Sequence, residues 1–147
     1  MPAVPLKPRV ILDSSVVVSG IGWRGGDARK VLTLLAVGGF HSYRTPWLTA
    51  EWAETVQYVA EHEKRWKNSN WINWLAWLKR ASKLEEDIPV KKTVKRDPND
   101  DPVVMAAVAV RAAYIVTTDD DLLSLRKPYG SICIRPRDFL GTILRQT

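Results

Sequence analysis

The sequence predicts an α/β fold, a three-layer α/β/α sandwich around a central parallel sheet, and two observations carry that prediction. Short apolar runs, Arg9–Leu12 and Ala113–Val116, end abruptly in polar and acidic residues instead of alternating, as strands buried on both faces do. Between such runs lie segments with helical spacing and short connections, in the order βαβα(α)αβαβα, which suits parallel strands joined by helices. The 147 residues hold no internal repeat, and a chain of this length is expected to form one domain with a real core. Residues 1–8, interrupted by Pro2, Pro5 and Pro8, read as a flexible N-terminal arm, and residues 9–147 as the domain.

Charged residues at 26% and hydrophobic ones at 46% place the chain in the ordinary globular class. The formal charge of +6 and the pI near 9.6 suit a polyanionic partner, yet this basic chain gathers its acids into small groups. Cys133 is the only cysteine, which excludes an intramolecular disulfide and a cysteine-based zinc site; between Ile132 and Ile134 it reads as a buried structural thiol. Neither a signal peptide nor a membrane-spanning run is recognisable, so a cytoplasmic location with no membrane partner is expected.

The first strand, Arg9–Leu12, runs into Asp13, Ser14 and Ser15, with Val16, Val17 and Val18 following. An acid inside VILDSSVVV is expensive to bury unless something pairs with it, so Asp13 reads as functional; the structural alternative is an N-cap for the next segment. Gly20, Gly22, Gly25 and Gly26 read as a flexible loop carrying Trp23 and Arg24, without the lysine-serine ending or the dinucleotide spacing of a phosphate loop. Residues 27–37 have helical spacing and end at Gly38 and Gly39, as helices do. Residues 40–44 form a second strand. Thr45 and Pro46 supply an N-cap and a first-turn proline for a helix reaching His62, with Leu48, Trp52, Thr55, Val56 and Val59 facing inward. Glu51 lies at the margin of that stripe, placed to enter a cleft beside the first strand, whereas Glu54 reads as solvated.

A helix opening at Ser69 presents Trp71, Trp74, Leu75, Leu78 and Ala81 on one face, an apolar arc wide enough to meet a second subunit. His41 and His62 stand in separate elements and have no ligand spacing. Residues 88–94 read as a short extended piece broken by Pro89. The turn KRDPNDDP (95–102) is dense in acids; Asp101 before Pro102 suits an N-cap, leaving Asp97 and Asp100 unexplained by capping. A small-residue helix over 103–112, the strand ending at Val116, a short helix from Asp120 through Leu125, a last strand over 131–135 and a helix opened by Pro136 complete the chain. Asp119, Asp120 and Asp121 follow the strand directly. One acid suffices for a cap, and adjacent carboxylates repel unless a cation or protons neutralise them. In open α/β sheets ligands bind outside the carboxyl ends of strands, so Asp13, Glu51, Asp100, Asp119 and Asp121 can converge there as a carboxylate cup for a hard divalent cation, Mg²⁺ or Mn²⁺.

The segments ILDSSVVVSG (11–20), TAEWAETV (49–56), RDPNDDPVVMAAVA (96–109), YIVTTDDDLL (114–123) and RPRDFL (135–140), in this order and spacing, resemble the PIN-domain nucleases, especially the VapC-like toxin components of prokaryotic toxin–antitoxin pairs. The resemblance covers Arg9 to Leu140. It implies a PIN-like fold and a Mg²⁺- or Mn²⁺-dependent endoribonuclease, with Asp13, Glu51, Asp100 and Asp119 as the metal-binding acids and Asp121 as an additional acid nearby. The third acid in chain order is Asp100 or its neighbour Asp101; the spacing to Val103 and Ala107 favours Asp100. The resemblance further implies that Ser15, where many relatives carry asparagine, orients the metal or its water, and that an RNA substrate, a cognate antitoxin and a homodimer belong to the system. A haloacid-dehalogenase-type phosphatase would need a second aspartate at position 15, which is serine, and a receiver domain would need an acidic pair at the first strand and a late lysine after a strand. The remaining alternative is a PIN-like module that binds RNA or a protein without cutting.

Overall fold

In the computed structural model, residues 6–89 and 101–145 are described. Five strands, β1 (Arg9–Leu12), β2 (His41–Arg44), β3 (Ser82–Leu84), β4 (Tyr114–Val116) and β5 (Ile132–Ile134), form one sheet in the order β3-β2-β1-β4-β5. Every neighbouring pair is parallel. The helices described are α1 (Ser14–Gly22), α2 (Asp27–Ala36), α3 (Pro46–His62), α4 (Trp71–Ala81), α5 (Pro102–Val110), α6 (Asp120–Leu125) and α7 (Pro136–Leu144). The α/β architecture read from the sequence is therefore the one the chain adopts. Helix α1 packs on α2 and α3, α2 on α7, and α3 on α4, while α5 lies against β1, β2 and β4. The right-handed rule puts α5 on the opposite face from α1–α4, because the chain moves outward from β1 to β3 and then returns across the sheet to β4.

The middle of the sheet is the core. Val10, Ile11, Leu12, Ile115 and Val116 have no exposed surface, which explains why their sequence is continuously apolar. Register pairs Val10 with Tyr114 and Leu12 with Val116. Helix α3 is fixed to this centre by Trp52, fully buried, whose indole N–H donates to the Leu12 carbonyl at 2.7 Å. Phe139 of α7 meets the Phe40 ring edge-on at a centroid distance of 5.1 Å.

Several expectations are corrected by the fold. Gly20 and Gly22 do not belong to a loop: together with residues 16–18 they lie in α1. Asp13 caps this helix, and the burial of Val16 and Val17 outweighs the mild helix aversion of β-branched residues. The glycines are where two neighbours come close, Leu32 over Gly20 and the Trp66 indole over Gly22. Strand β3 is absent from the expected order, because SKL offers three residues with one apolar side chain. It is an edge strand whose Lys83 and Leu84 face solvent, and Ser82 joins it to β2 through a buried 2.7 Å hydrogen bond with Ser42. Helix α4 opens after Asn70, not at Ser69. Of the extended piece expected over 88–94, Ile88 and Pro89 are outside any strand; the remainder lies outside the described residues, as do most of the expected arm and the acids at 97 and 100.

Cys133 is buried in β5, and burial, reinforced by the Asp101 and Asp13 carboxylates, pushes its thiol up to about 11. It should therefore react slowly with a thiol-specific reagent at pH 8 in the native protein and rapidly in denaturant. At Gly20 an added methyl would lie 2.6 Å from Leu32 Cδ1 and 3.2 Å from the Ala28 carbonyl oxygen. Although alanine is the better helix former by about 1 kcal/mol, Gly20→Ala should destabilise the fold by about 1–3 kcal/mol in urea titrations, while Gly25→Ala, with open space around it, should be close to neutral.

Candidate active site

The strand order reverses between β1 and β4, since the chain leaves β1 toward β2 and β3 and later returns to β4 and β5. Such a switch point leaves a crevice outside the carboxyl ends of its two strands. Here β1 leads into Asp13 and β4 into Thr117, and the Asp13 N–H donates to the Val116 carbonyl at 3.0 Å, drawing the two ends together.

Asp13 is 6% exposed, and its carboxylate is held by three donors. Ser14 N–H reaches Oδ1 at 2.9 Å, and the Ser15 and Thr117 hydroxyls both reach Oδ2 at 2.8 Å. Burial nevertheless pushes its pKa above the ordinary carboxylate value; the three hydrogen bonds oppose that rise and the nearby Asp119 charge adds to it. Both hydroxyls also accept hydrogen bonds. Ser15 Oγ accepts from the Thr118 N–H at 3.1 Å, and Thr117 Oγ1 accepts from the Asp119 N–H at 3.0 Å. The loop after β4 is thereby tied to the acid after β1.

The crevice is a cavity of about 420 Å³ whose lining includes Asp13, Ser15, Glu51, Asp101, Asp119 and Trp47. Glu51 enters from α3, half-buried, one residue before the anchored Trp52, while Glu54 is exposed. Asp101 caps α5, accepting from Val103 N–H at 2.8 Å. Asp119 caps α6, accepting from Asp121 N–H at 2.9 Å. Capping and cavity lining are thus combined in three of the four acids. No cationic side chain lines the cavity among the described residues.

Of the residues singled out in the sequence, Asp13, Ser15, Glu51 and Asp119 are brought together. Asp121 is exposed in the first turn of α6 and is not part of the cavity lining, and Asp100 lies outside the described residues. Sequence reasoning missed Thr117, a fully buried hydroxyl. Its signal lies in the register: once Leu12 is paired with Val116, the next step places residue 117 beside Asp13.

Oxygen donors of this kind fit a hard divalent cation, and a cation would relieve both the burial cost of Asp13 and its repulsion by Asp119. Among the described residues no three acidic, histidine or cysteine side chains are gathered closely enough to hold a metal by themselves.

A parallel α/β sheet with a carboxylate-lined crevice at its switch point defines a class of domain in which acids from separate elements act together. The PIN domain family matches residues 9–121, and the chain belongs to it. PIN domains are generally nucleases and usually use divalent metals. The fold is also similar to that in the crystal structure of PAE2754 from Pyrobaculum aerophilum, with a TM-score of 0.60 and 13% identity over 99% of this chain and 98% of that one. No curated protein matches it in sequence.

Thr117→Val removes a donor to the ionised Asp13 and the acceptor for Asp119 N–H, and should cost about 1–3 kcal/mol; Thr117→Ser should retain most of it. The sign with pH follows from Asp13. The lost bond favours the charged carboxylate, so the variant's Asp13 pKa rises further above the unfolded value. The two proteins should then be closest in stability below the unfolded carboxylate range, and the deficit should open as pH rises through the folded pKa of Asp13. Urea unfolding at a series of pH values checks this; a deficit independent of pH would place the contribution of Thr117 in packing alone.

Proposed function

We propose that this chain is a Mg²⁺- or Mn²⁺-dependent endoribonuclease, and that it serves as the toxin of a toxin–antitoxin pair. The observation that carries the reading is the convergence of Asp13, Glu51, Asp101 and Asp119 from four elements on one cavity at the switch point of a PIN-domain sheet. Asp13 and Asp119, with Asp101 or Asp100, would hold the ion. When bound, such an ion lowers the pKa of a water and stabilises charge on a phosphodiester under in-line attack.

The residues of the chain supply the rest. Asp13 is kept in one orientation by Ser15 and Thr117, so Ser15 acts by orienting the acid as well as the loop at Thr118. Glu51, carried half-buried into the cavity by α3, would act beside the ion on the water or the phosphate. Asp121 belongs to this reading as an additional acid, exposed in the first turn of α6. The excess of Lys and Arg supports an RNA substrate over an uncharged one. In the same reading residues 9–147 are the nuclease domain and residues 1–8 an arm. The protein is cytoplasmic and homodimeric, and α4, with Ile72 65% exposed beside Trp71, supplies apolar surface for the dimer or the antitoxin. Among the described residues no helix is long and apolar enough to cross a membrane.

Asn variants at Asp13, Asp101 and Asp119 preserve size while removing charge, and each should lower metal-dependent RNA cleavage by a factor of about 100 or more. Glu51→Gln should behave similarly and Glu54→Gln should stay close to wild type. RNA binding should survive in all of them, because repulsion between the acids and the phosphates is reduced. EDTA should abolish cutting and Mn²⁺ restore it. Wild-type protein that binds RNA but cuts none of a broad panel with either metal would replace the nuclease with a non-catalytic RNA-binding or protein-interaction module.

A further inference from the structure

A second cavity, of about 670 Å³, adjoins α1 at Ser19. Its lining contains Ser19, Trp23, Gly26, Thr118, Arg135 and Arg137. The two cavities share a wall: Ser15 belongs to the first and Thr118 to the second, and the Thr118 N–H donates to Ser15 Oγ at 3.1 Å. Ser15 and Ser19 are four residues apart on one face of α1, about 6 Å along its axis, a step comparable to one nucleotide of an extended strand.

The chemistry of the second cavity is opposite to that of the first. Arg135 and Arg137 are both exposed; Arg135 pairs with Asp120 at 2.9 Å, and Arg137 has no ion-pair partner among the described residues. The acid in the lining, Asp27, lies 3.9 Å from Lys30. Trp23 is 46% exposed, with the Arg65 guanidinium over its ring at 5.4 Å. A planar aromatic beside guanidinium groups is the combination that receives a base and its phosphate in single-stranded nucleic acid.

Resting on the nuclease reading of the acid cavity, we infer that this second cavity is the subsite for the nucleotide next to the scissile phosphate of a single-stranded RNA, with the base on Trp23 and the phosphate at Arg137 and Arg135. The acid cavity repels phosphate until its charge is neutralised, so the strand is held from the side. Pairing with Asp120 leaves Arg135 partly occupied, which makes Arg137 the principal phosphate contact. The base contact is stacking and carries no hydrogen-bond code, so the subsite grips without selecting sequence.

The test is titration of a fluorescently labelled oligouridine into full-length protein in EDTA at several salt concentrations. Wild type, Arg137→Ala, Arg137→Lys, Trp23→Ala and Trp23→Phe are compared, and circular dichroism melts verify each fold. Arg137→Ala should weaken binding and lower the salt slope by about one phosphate contact, with Arg137→Lys retaining the slope. Trp23→Ala should weaken binding at least about fivefold with the slope unchanged, and Trp23→Phe should recover most of it. A 4-thiouridine in the strand should cross-link within the 23–26 loop. Wild type that binds and cuts RNA while all four variants match it, or cross-links confined elsewhere, overturns the subsite and leaves the nuclease reading standing. Wild type that fails to bind RNA at low salt overturns both. A polyglutamate peptide whose binding depends on Arg137 and Trp23 while RNA binding does not would assign the cavity to an acidic protein and overturn the proposal.

Discussion

The functional edge of this fold depends on one buried charge. Asp13 ends the central strand at 6% exposure, where an isolated carboxylate would protonate or destabilise the fold. Its three hydrogen bonds bring α1, the end of β4 and the cap of α6 into a single network, because Ser15 and Thr117 each donate to the acid while accepting from the Thr118–Asp119 backbone. The pKa of Asp13 nevertheless stays raised. Those hydrogen bonds fix its direction without fully compensating its burial, and the remaining deficit is what a bound cation would relieve.

The surrounding acids are placed by secondary structure that has its own reasons to exist. Asp101 and Asp119 sit at helix N-caps, where a carboxylate is favoured by free N–H groups and by the helix dipole. Glu51 is carried on α3, whose rotation is set by the bond from Trp52 to the Leu12 carbonyl, one residue before Asp13. The acids are thus held by elements that fold for packing and capping, and their mutual repulsion is spread over four separate supports.

This double use explains how much of the fold is legible in the sequence. β1 and α3 are legible because a continuous apolar run, a Thr-Pro start and a helical stripe all agree. The α1 helix is hidden because VVV favours a strand locally and its glycines mimic a loop; they are needed for the close approach of Leu32 and Trp66, which only tertiary structure reveals. β3 is hidden because three residues at a sheet edge carry almost no pattern. Within the site, Asp13 is legible as an acid inside an apolar run, Glu51 by its place at the margin of the α3 stripe and Asp119 as one of three consecutive acids after a strand, whereas Thr117 is intelligible only through strand register. Asp101 is read from sequence as a cap and as the alternative to Asp100, and it is Asp101 that lines the cavity among the described residues.

The charge of the chain and the charge of its crevice have opposite signs, and distance decides how the two combine. Fields from exposed groups fade over a Debye length of about 8 Å at physiological ionic strength, so a polyanion approaching the protein meets the net positive charge of +6 before it meets the acids in their recess. Close in, the acids dominate: an RNA phosphate is held off from Asp13 and Asp119 until positive charge intervenes. In the proposed reading an RNA strand would therefore be gripped beside the crevice and not by it. The arginines and Trp23 line the second cavity, which meets the crevice at the Thr118–Ser15 contact, so in the proposed reading the gripping and reacting sites would lie side by side along α1. The buried acid that organises the crevice also holds Ser15, and through it the Thr118 backbone at the wall between the cavities, which in that reading would tie placement of the phosphate to the geometry of the carboxylates.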